Sequence, residues 1–124
     1  MTSGELRSMT QGFAIDTIKF IKTLPDSFVE KIIAGQLLRS GTSMAANYRA
    51  ACRGRSKKEF FSKISIVVEE TDETMFWLEI LIESEIANNS KAKKLLDRST
   101  EFIKIFSSAR KTISNQLSND KNFK

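Results

Sequence analysis

The stretch that decides the fold is Arg39-Ser-Gly-Thr-Ser-Met-Ala-Ala-Asn-Tyr-Arg49, which is followed after three residues by Arg53-Gly-Arg-Ser-Lys-Lys-Glu-Phe60. Small side chains dominate the first segment, which is typical of a helix that approaches a neighbour closely. Gly54 stands where a C-terminal cap belongs, and Ser56 forms a capping box with Glu59. The stretch therefore predicts a helix that ends near residue 53, a tight basic turn and a second helix that begins after Ser56.

The composition favours one domain built from long helices. The 124 residues include one proline and five glycines, so few positions interrupt regular structure. We expect a single domain over residues 1–124, with flexible ends at 1–9 and 118–124. Apolar residues recur every three to four positions and predict four amphipathic helices, at about 10–23, 27–53, 57–87 and 91–117. Short connections between them favour an all-α, antiparallel up-down-up-down four-helix bundle.

Cysteine usage and hydropathy indicate the compartment. The single Cys52 has no partner for an intrachain disulfide, which favours a reducing, cytoplasmic location. Residues 1–12 are polar and lack the apolar region of a signal peptide. No uncharged apolar run approaches the roughly 20 residues that a membrane span needs, so we expect no membrane partner.

No pattern of residues indicates catalysis or a cofactor. Histidine is absent, so Cys52 has no imidazole to activate it, and the acids of the third helix lack the histidines of helical di-iron sites. These acids avoid the apolar stripe and are better explained as a solvated or interface surface. We therefore expect no metal site, no cofactor and no enzymatic activity.

The third helix has apolar residues on two faces. One stripe, which includes Ile64 and Leu78, faces the predicted core. A helix that is apolar on two faces either buries both or exposes a patch. We predict that the second set, with an acid beside it, is an oligomer interface: Ile66, Glu73, Phe76, Trp77 and Ile80. The alternative is a monomer with scattered exposed apolar groups.

Two residues of the second helix are unusual for a buried stripe. We predict that Asn47 makes a structural polar contact with the third helix, through Thr71, Thr74 or an acid, and a ligand contact is the alternative. Gly41 costs about 1 kcal/mol in a helix relative to alanine. Its neighbours are small, so we expect a close backbone approach there, with a local kink as the alternative.

The charges are unevenly distributed and produce a basic cluster. The formal charge is +5, and bases gather at the end of the second helix and the beginning of the third. Such a cluster can neutralise phosphates without reading sequence. Alternatively, it is a solvated turn or pairs with the acidic part of a neighbouring subunit. The candidate nucleic-acid-binding residues are Arg39, Arg49, Arg53, Arg55, Lys57, Lys58 and Lys63.

Four elements of the chain carry a family resemblance. They are Arg39-Ser-Gly-Thr-Ser-Met-Ala-Ala-Asn47, Ser56-x-x-x-Phe60, Lys63-Ile-Ser-Ile66 and Glu70-Thr-Asp-Glu-Thr-Met-Phe-Trp77-Leu. Together they resemble the bacterial four-helix-bundle proteins that are also called 23S rRNA intervening-sequence proteins. The resemblance covers residues from about 24 to 83, and more loosely the whole chain.

The resemblance implies an antiparallel four-helix bundle that assembles into a homopentameric ring, in a family with no established enzymatic activity. Some members are encoded within insertions in ribosomal RNA genes, and relatives accompany the reverse transcriptases of diversity-generating retroelements. We therefore predict a non-enzymatic, oligomeric bundle that binds nucleic acid, with RNA as the expected ligand. The alternative is a structural adaptor ring that binds a protein partner such as a reverse transcriptase.

Overall fold

Four α-helices account for almost all of the described chain. The computed structural model describes residues 1–87 and 90–122, and no strand occurs among them. The helices are α1 (Ser3–Ile21), α2 (Phe28–Cys52), α3 (Lys57–Glu83) and α4 (Ser90–Asn122). The prediction of an all-α chain with four helices is confirmed. None of these helices is both long enough and apolar enough to cross a membrane.

The first helix begins earlier than the predicted residue 10. Thr2 caps it, because its hydroxyl accepts a 3.0 Å hydrogen bond from the amide of Glu5. Leu6 is buried, so this stretch belongs to the core and differs from the flexible end predicted for 1–9. The sequence contains a signal for this helix start, the pattern Thr-x-x-Glu of a capping box. The polar composition of the first ten residues argued against a helix there.

The other helix ends differ from the prediction in smaller ways. Ser27 occupies the N-cap position of α2 without a side-chain cap bond. The third helix ends at Glu83, and Glu85 just beyond it adopts a left-handed conformation with a φ of 65°. Residues 118–122 continue α4 as helix, whereas 123–124 and the predicted turn residues 88–89 lie outside the described residues.

The helices form a bundle with up-down-up-down topology. Each helix packs against the next along the chain, and α1 closes the bundle against α4. Aromatic rings fill the centre: Phe106 stacks 5.7 Å from Phe102 and lies 5.2 Å from Tyr48, while Phe13 meets Phe102 edge-on at 5.5 Å. Burying side chains of this kind contributes about 1.5–3 kcal/mol each before chain entropy.

A buried polar contact joins α2 to α3, but Asn47 does not make it. Thr74 donates a 2.9 Å hydrogen bond to the hydroxyl of Ser40, and both side chains are fully buried. The amide of Asn47 instead donates to the backbone oxygen and hydroxyl of Ser43, one turn earlier on its own helix. The predicted contact of Asn47 with α3 is therefore wrong, because a partner within the helix lies closer.

Gly41 lies where α2 meets α1. A Cβ added to Gly41 would lie 3.5 Å from the side chain of Thr17, which is an ordinary van der Waals distance. The helix continues through Gly41 without a break. The predicted close backbone approach is therefore not what Gly41 provides, because its nearest neighbour is a side chain and the space there does not demand glycine.

Candidate nucleic-acid interface

The topology gathers cationic side chains at one end of the bundle. An antiparallel arrangement brings the beginnings of α1 and α3 together with the ends of α2 and α4. Two contacts between α3 and α4 establish this register: Lys57 Nζ lies 3.1 Å from Asp120 Oδ2, and Arg110 Nε donates to Ser65 Oγ at 2.9 Å. We call this region the basic end, with the cations Arg7, Arg49, Arg53, Arg55, Lys57, Lys58, Lys63, Arg110 and Lys111.

The turn between α2 and α3 is held rigidly. The amide of Gly54 donates to the backbone oxygen of Ala51 at 3.1 Å. Ser56 Oγ accepts from the amide of Glu59 at 3.1 Å, and the Glu59 carboxylate accepts from the amide of Arg55 at 2.6 Å. Half of the predicted capping box is thus present, because the Glu59 carboxylate bonds the amide of Arg55 and not that of the N-cap residue Ser56. Because the turn is short and internally bonded, the cations on either side of it have defined backbone positions.

Most of the predicted binding residues are exposed and unpaired. Arg49, Arg53, Arg55 and Lys58 are exposed, and Lys63 is half-buried. Within residues 1–87 and 90–120, none of these five side chains forms an ion pair with a carboxylate. The free amides at the beginning of α3 add a positive partial charge at the same place. The arrangement can therefore attract phosphate groups.

Arg39 is engaged elsewhere, so the structure separates it from the other candidates. Its guanidinium lies 3.2 Å from Glu70 Oε2 and forms a second ion pair with Glu73, so it bridges α2 and α3. The hydrogen bonds that Arg39 donates to Glu73 and Glu70 raise the pKa of Arg39. The hydrogen bond from Arg39 lowers the pKa of Glu73, against a smaller opposing effect of burial. Arg39 is accordingly a structural cation in this protomer.

Glu70 is the third member of the ion cluster that it forms with Arg39 and Glu73. Its Oε2 atom is buried and accepts no hydrogen bond, although Arg39 lies within ion-pair distance of it. The side chain of Glu70 is 16% exposed, so this attraction is less screened than at the surface. Lys57 is also paired, with Asp120. A phosphate that binds Lys57 would have to displace this carboxylate.

Sequence reasoning missed three cations of the basic end: Arg7, Arg110 and Lys111. Arg7 and Arg49 line a groove of about 260 Å³ between α1 and α2. The guanidinium of Arg110 lies 5.1 Å above the ring of Phe61, a cation–π contact that orients it. The predicted up-down-up-down order already implied that both chain-terminal helices reach this end, so topology was the available signal.

The predicted oligomer interface is only partly exposed in the protomer. Phe76 is 50% exposed, and its ring meets Trp77 edge-on at 4.9 Å. Ile66, Glu73, Trp77 and Ile80 are half-buried. Trp77 packs against the core and places its indole N–H 3.4 Å from Glu73 Oε1. The set lies together along one side of α3, and its burial by a second copy stays a prediction.

A second exposed apolar set occurs at the beginning of α2. Phe28 is 77% exposed, and Val29 and Ile32 are each 52% exposed. Val29 follows the periodicity of the buried stripe of α2. It is nevertheless exposed, because it lies before the part of α2 that packs against α1. Sequence periodicity identifies a face of a helix and not how far the neighbouring helix extends along it.

Tyr48 and Cys52 lie one turn apart near the basic end. Burial, with a smaller effect of the neighbouring thiol, raises the pKa of Tyr48. Tyr48 is buried and Cys52 is half-buried. Among the residues that the structure describes, no group of three histidine, cysteine or acidic side chains is arranged to hold a metal ion.

Comparisons with known proteins agree with this architecture. A sequence model of the family described as 23S rRNA-intervening sequence protein matches residues 5–108. A crystal structure of a protein with unknown function from the S23 ribosomal protein family of Bacteroides thetaiotaomicron VPI-5482 is similar, with a TM-score of 0.79 and 32% identity. The similarity covers 90% of this chain and 99% of that chain. No curated protein matches.

Proposed function

Because the chain belongs to the family of 23S rRNA-intervening sequence proteins, we propose that it is a non-enzymatic, oligomeric bundle that binds nucleic acid through its basic end. The observation that supports this proposal is the collection of unpaired cations around one rigid turn, above all Arg49, Arg53, Arg55 and Lys58. The name of the family refers to inserts in ribosomal RNA, which favours RNA as the ligand. A ring of five copies is the predicted form of the oligomer.

Binding of this kind depends on phosphates and not on base sequence. The basic end presents arginine and lysine side chains, and the ring of Phe61 there is covered by Arg110. Such a surface forms ion pairs with the backbone and releases counterions, so its affinity falls steeply with salt. With about five phosphate contacts, the affinity would drop by roughly 10²–10³-fold between 50 and 200 mM salt. Repetition of the basic end in an oligomer raises the overall affinity further.

The test is fluorescence anisotropy with a structured RNA hairpin and a DNA duplex, each at two salt concentrations. In the variant Arg53→Glu with Lys58→Glu, two contacts are lost and two repulsive charges appear. We expect binding of RNA about 10–100-fold weaker near 100 mM salt, with a salt slope reduced by about 2. DNA binding as tight as RNA binding would contradict the preference for RNA.

The matched control reverses two exposed lysines of α4, in the variant Lys93→Glu with Lys104→Glu. It changes the net charge equally but lies away from the rigid turn, so the affinity should fall by less than about threefold. Equal losses in the two variants would mean that only net charge matters. No loss in either variant would remove the basic end as the site.

A protein-binding adaptor is the second candidate, and the exposed apolar set of α2 favours it. Phe28 and Ile32 project beyond the cover of α1, and large exposed apolar residues in a cluster are typical of interfaces. The resemblance suggests a reverse transcriptase as partner. Co-purification with such a protein after nuclease treatment, and loss of it in Phe28→Ser, would support the adaptor. Survival of the complex in that variant would contradict it.

A further inference from the structure

The second half of α3 presents a face that the rest of the described chain leaves exposed. Its exposed residues recur at intervals of three and four, so they lie along one side of the helix. We call them the acidic face: Glu69, Asp72, Phe76, Glu79 and Glu83. Among the described residues, none of its four carboxylates forms an ion pair. An exposed phenyl ring is thus surrounded by unpaired negative charge.

A groove of opposite charge lies between α1 and α4. It has a volume of about 290 Å³, and we call it the cationic groove: Lys19, Phe20, Lys91, Lys94, Leu95 and Arg98. Asp16 also lines it and pairs with Arg98 at 2.8 Å. Phe20 and Leu95 are buried, whereas Lys19, Lys91 and Lys94 are exposed. The groove therefore combines an apolar lining with free ammonium groups.

The two surfaces overlap in height along the bundle. Phe76 precedes the end of α3 at Glu83 by two turns, or about 10 Å. Lys94 follows the beginning of α4 at Ser90 by about one turn, and Lys19 lies just before the end of α1. The end of α3, the beginning of α4 and the end of α1 share one end of the bundle. Two copies placed side by side in the same direction would bring the two surfaces next to each other.

The surfaces also face different sides of the protomer. In the described part of the chain, α3 packs against α2 and α4 but not against α1, so it lies diagonally across from α1 in the bundle. One copy can therefore use its acidic face and its cationic groove at the same time. A contact between two different surfaces is heterologous, and it closes into a ring when the rotation between copies permits.

We propose that the acidic face of one copy docks in the cationic groove of the next copy. Phe76 enters the groove beside Phe20 and Leu95, and the carboxylates around it pair with Lys19, Lys91 and Lys94. This inference rests on the self-association included in the proposed function and specifies its two partner surfaces. The side-by-side arrangement places the basic end of every copy on one rim of the assembly.

Charge exchange tests the pairing directly. The variant Lys91→Glu with Lys94→Glu makes the groove acidic. The variant Asp72→Lys with Glu79→Lys places a cation on either side of Phe76 and removes the net negative charge of the acidic face. Each should reduce the parent oligomer to the 14.0 kDa chain in light scattering at micromolar concentration. A chain that carries all four substitutions has opposite charges again at the four exchanged positions, and its mass should return to that of the parent.

Restoration in the fourfold variant is the decisive result, because a chain that merely misfolds would not recover. Circular dichroism of each variant checks that the helices are intact, and Lys93→Glu with Lys104→Glu supplies a control of equal charge change. A monomeric parent, single reversals that leave the mass unchanged, or a fourfold variant that stays monomeric would each overturn the proposal.

The role of Phe76 has its own matched control. Phe76→Ser should dissociate the oligomer, whereas Ile32→Ser, at a residue of nearly equal exposure, should not. Dissociation by the Ile32 variant alone would place the interface on α2 and overturn the proposal. These measurements contain no RNA, and Arg53→Glu with Lys58→Glu should leave the mass unchanged. A failure of the assembly model is therefore distinguishable from a failure of RNA binding.

Discussion

The two ends of α3 differ in charge, and each carries the sign that its helix dipole disfavours. Lys57 and Lys58 stand in the first turn, where the dipole is positive, and Glu83 stands in the last turn, which contains no base. A charge at a helix end contributes about 0.3–1 kcal/mol, favourable or unfavourable according to its sign. Glu59, whose amide Ser56 caps, is the exception at the first end.

The difference shows that Lys57, Lys58 and Glu83 do not stabilise α3 through its dipole. Its stability comes from the buried stripe, in which Ile64, Val67, Leu78 and Leu81 are completely covered. The charges are therefore available for surfaces, cations toward the basic end and carboxylates toward the acidic face. Four changes test this contrast between the two ends.

The largest expected effect concerns the turn at the cationic end. In Gly54→Ala the new Cβ would lie 3.1 Å from the backbone oxygen of Ala51 and 3.3 Å from the amide nitrogen of Phe60. Backbone atoms yield little, so we expect a loss of about 1–3 kcal/mol in the free energy of unfolding. Gly41→Ala, which has space, should instead stabilise by about 0.5–1 kcal/mol. Urea denaturation measures both, and equal effects would contradict the geometry.

At the opposite end, replacement of Glu85 should stabilise the fold. Its φ of 65° is a left-handed conformation that costs a side chain about 1–2 kcal/mol, and glycine adopts it freely. After the entropy cost of glycine, Glu85→Gly should gain about 0.5–1 kcal/mol. The control is Glu83→Gly inside the helix, which should lose about 1 kcal/mol. A loss in both variants would argue against the strain at Glu85.

Reversal of charge at each end of α3 should show that the two ends affect the unfolding free energy alike but RNA binding differently. Lys58→Glu and Glu83→Lys both place a favourable sign next to the dipole, so each should raise the unfolding free energy by about 0.3–1 kcal/mol. Lys58→Glu should at the same time weaken RNA binding by the single chain, whereas Glu83→Lys, which lies at the other end of α3, should not. Thermal unfolding and anisotropy on the same samples check this. A destabilising Lys58→Glu would mean that Lys58 has a structural role.

The smallest expected change in unfolding free energy concerns the ion cluster of Arg39, Glu70 and Glu73, which lies between the two ends of α3. Because Arg39 holds the pKa of Glu73 below its ordinary value of 4.5, ionised Glu73 stabilises the fold above that value, and the contribution is lost as the pH falls through the lowered pKa. Glu73→Gln should therefore cost less than about 1 kcal/mol at pH 7, since both side chains are partly solvated and screened. The cost should vanish in acid, which urea denaturation at neutral and at acidic pH would show.

The helices and their order were predictable because their signals are local. The periodicity of α3 and the cap that Ser56 provides for Glu59 depend on neighbours along the chain, and the structure contains both. The beginning of α1 was missed although Thr2 provides a cap of the same kind for Glu5. A polar stretch in which Leu6 is the one buried apolar residue has too little apolar periodicity to predict a helix.

The candidate site was predictable only in part, because pairing across helices has no local signal. Arg49 and Arg53 remain available, as expected, whereas Arg39 and Lys57 meet carboxylates of α3 and α4. The polar contact assigned to Asn47 belongs to Ser40 and Thr74. Each of these outcomes depends on the rotation and height of one helix relative to another.

The sequence by itself determined four amphipathic helices, a rigid basic turn and the separation of charge along α3, because periodicity, capping and charge order are properties of a single segment. Only the tertiary structure decided which cations stay free, which apolar residues remain exposed at Phe28 and Phe76, and which charged surfaces overlap in height. Those features arise where helices meet, and the packing of side chains between helices sets their distances.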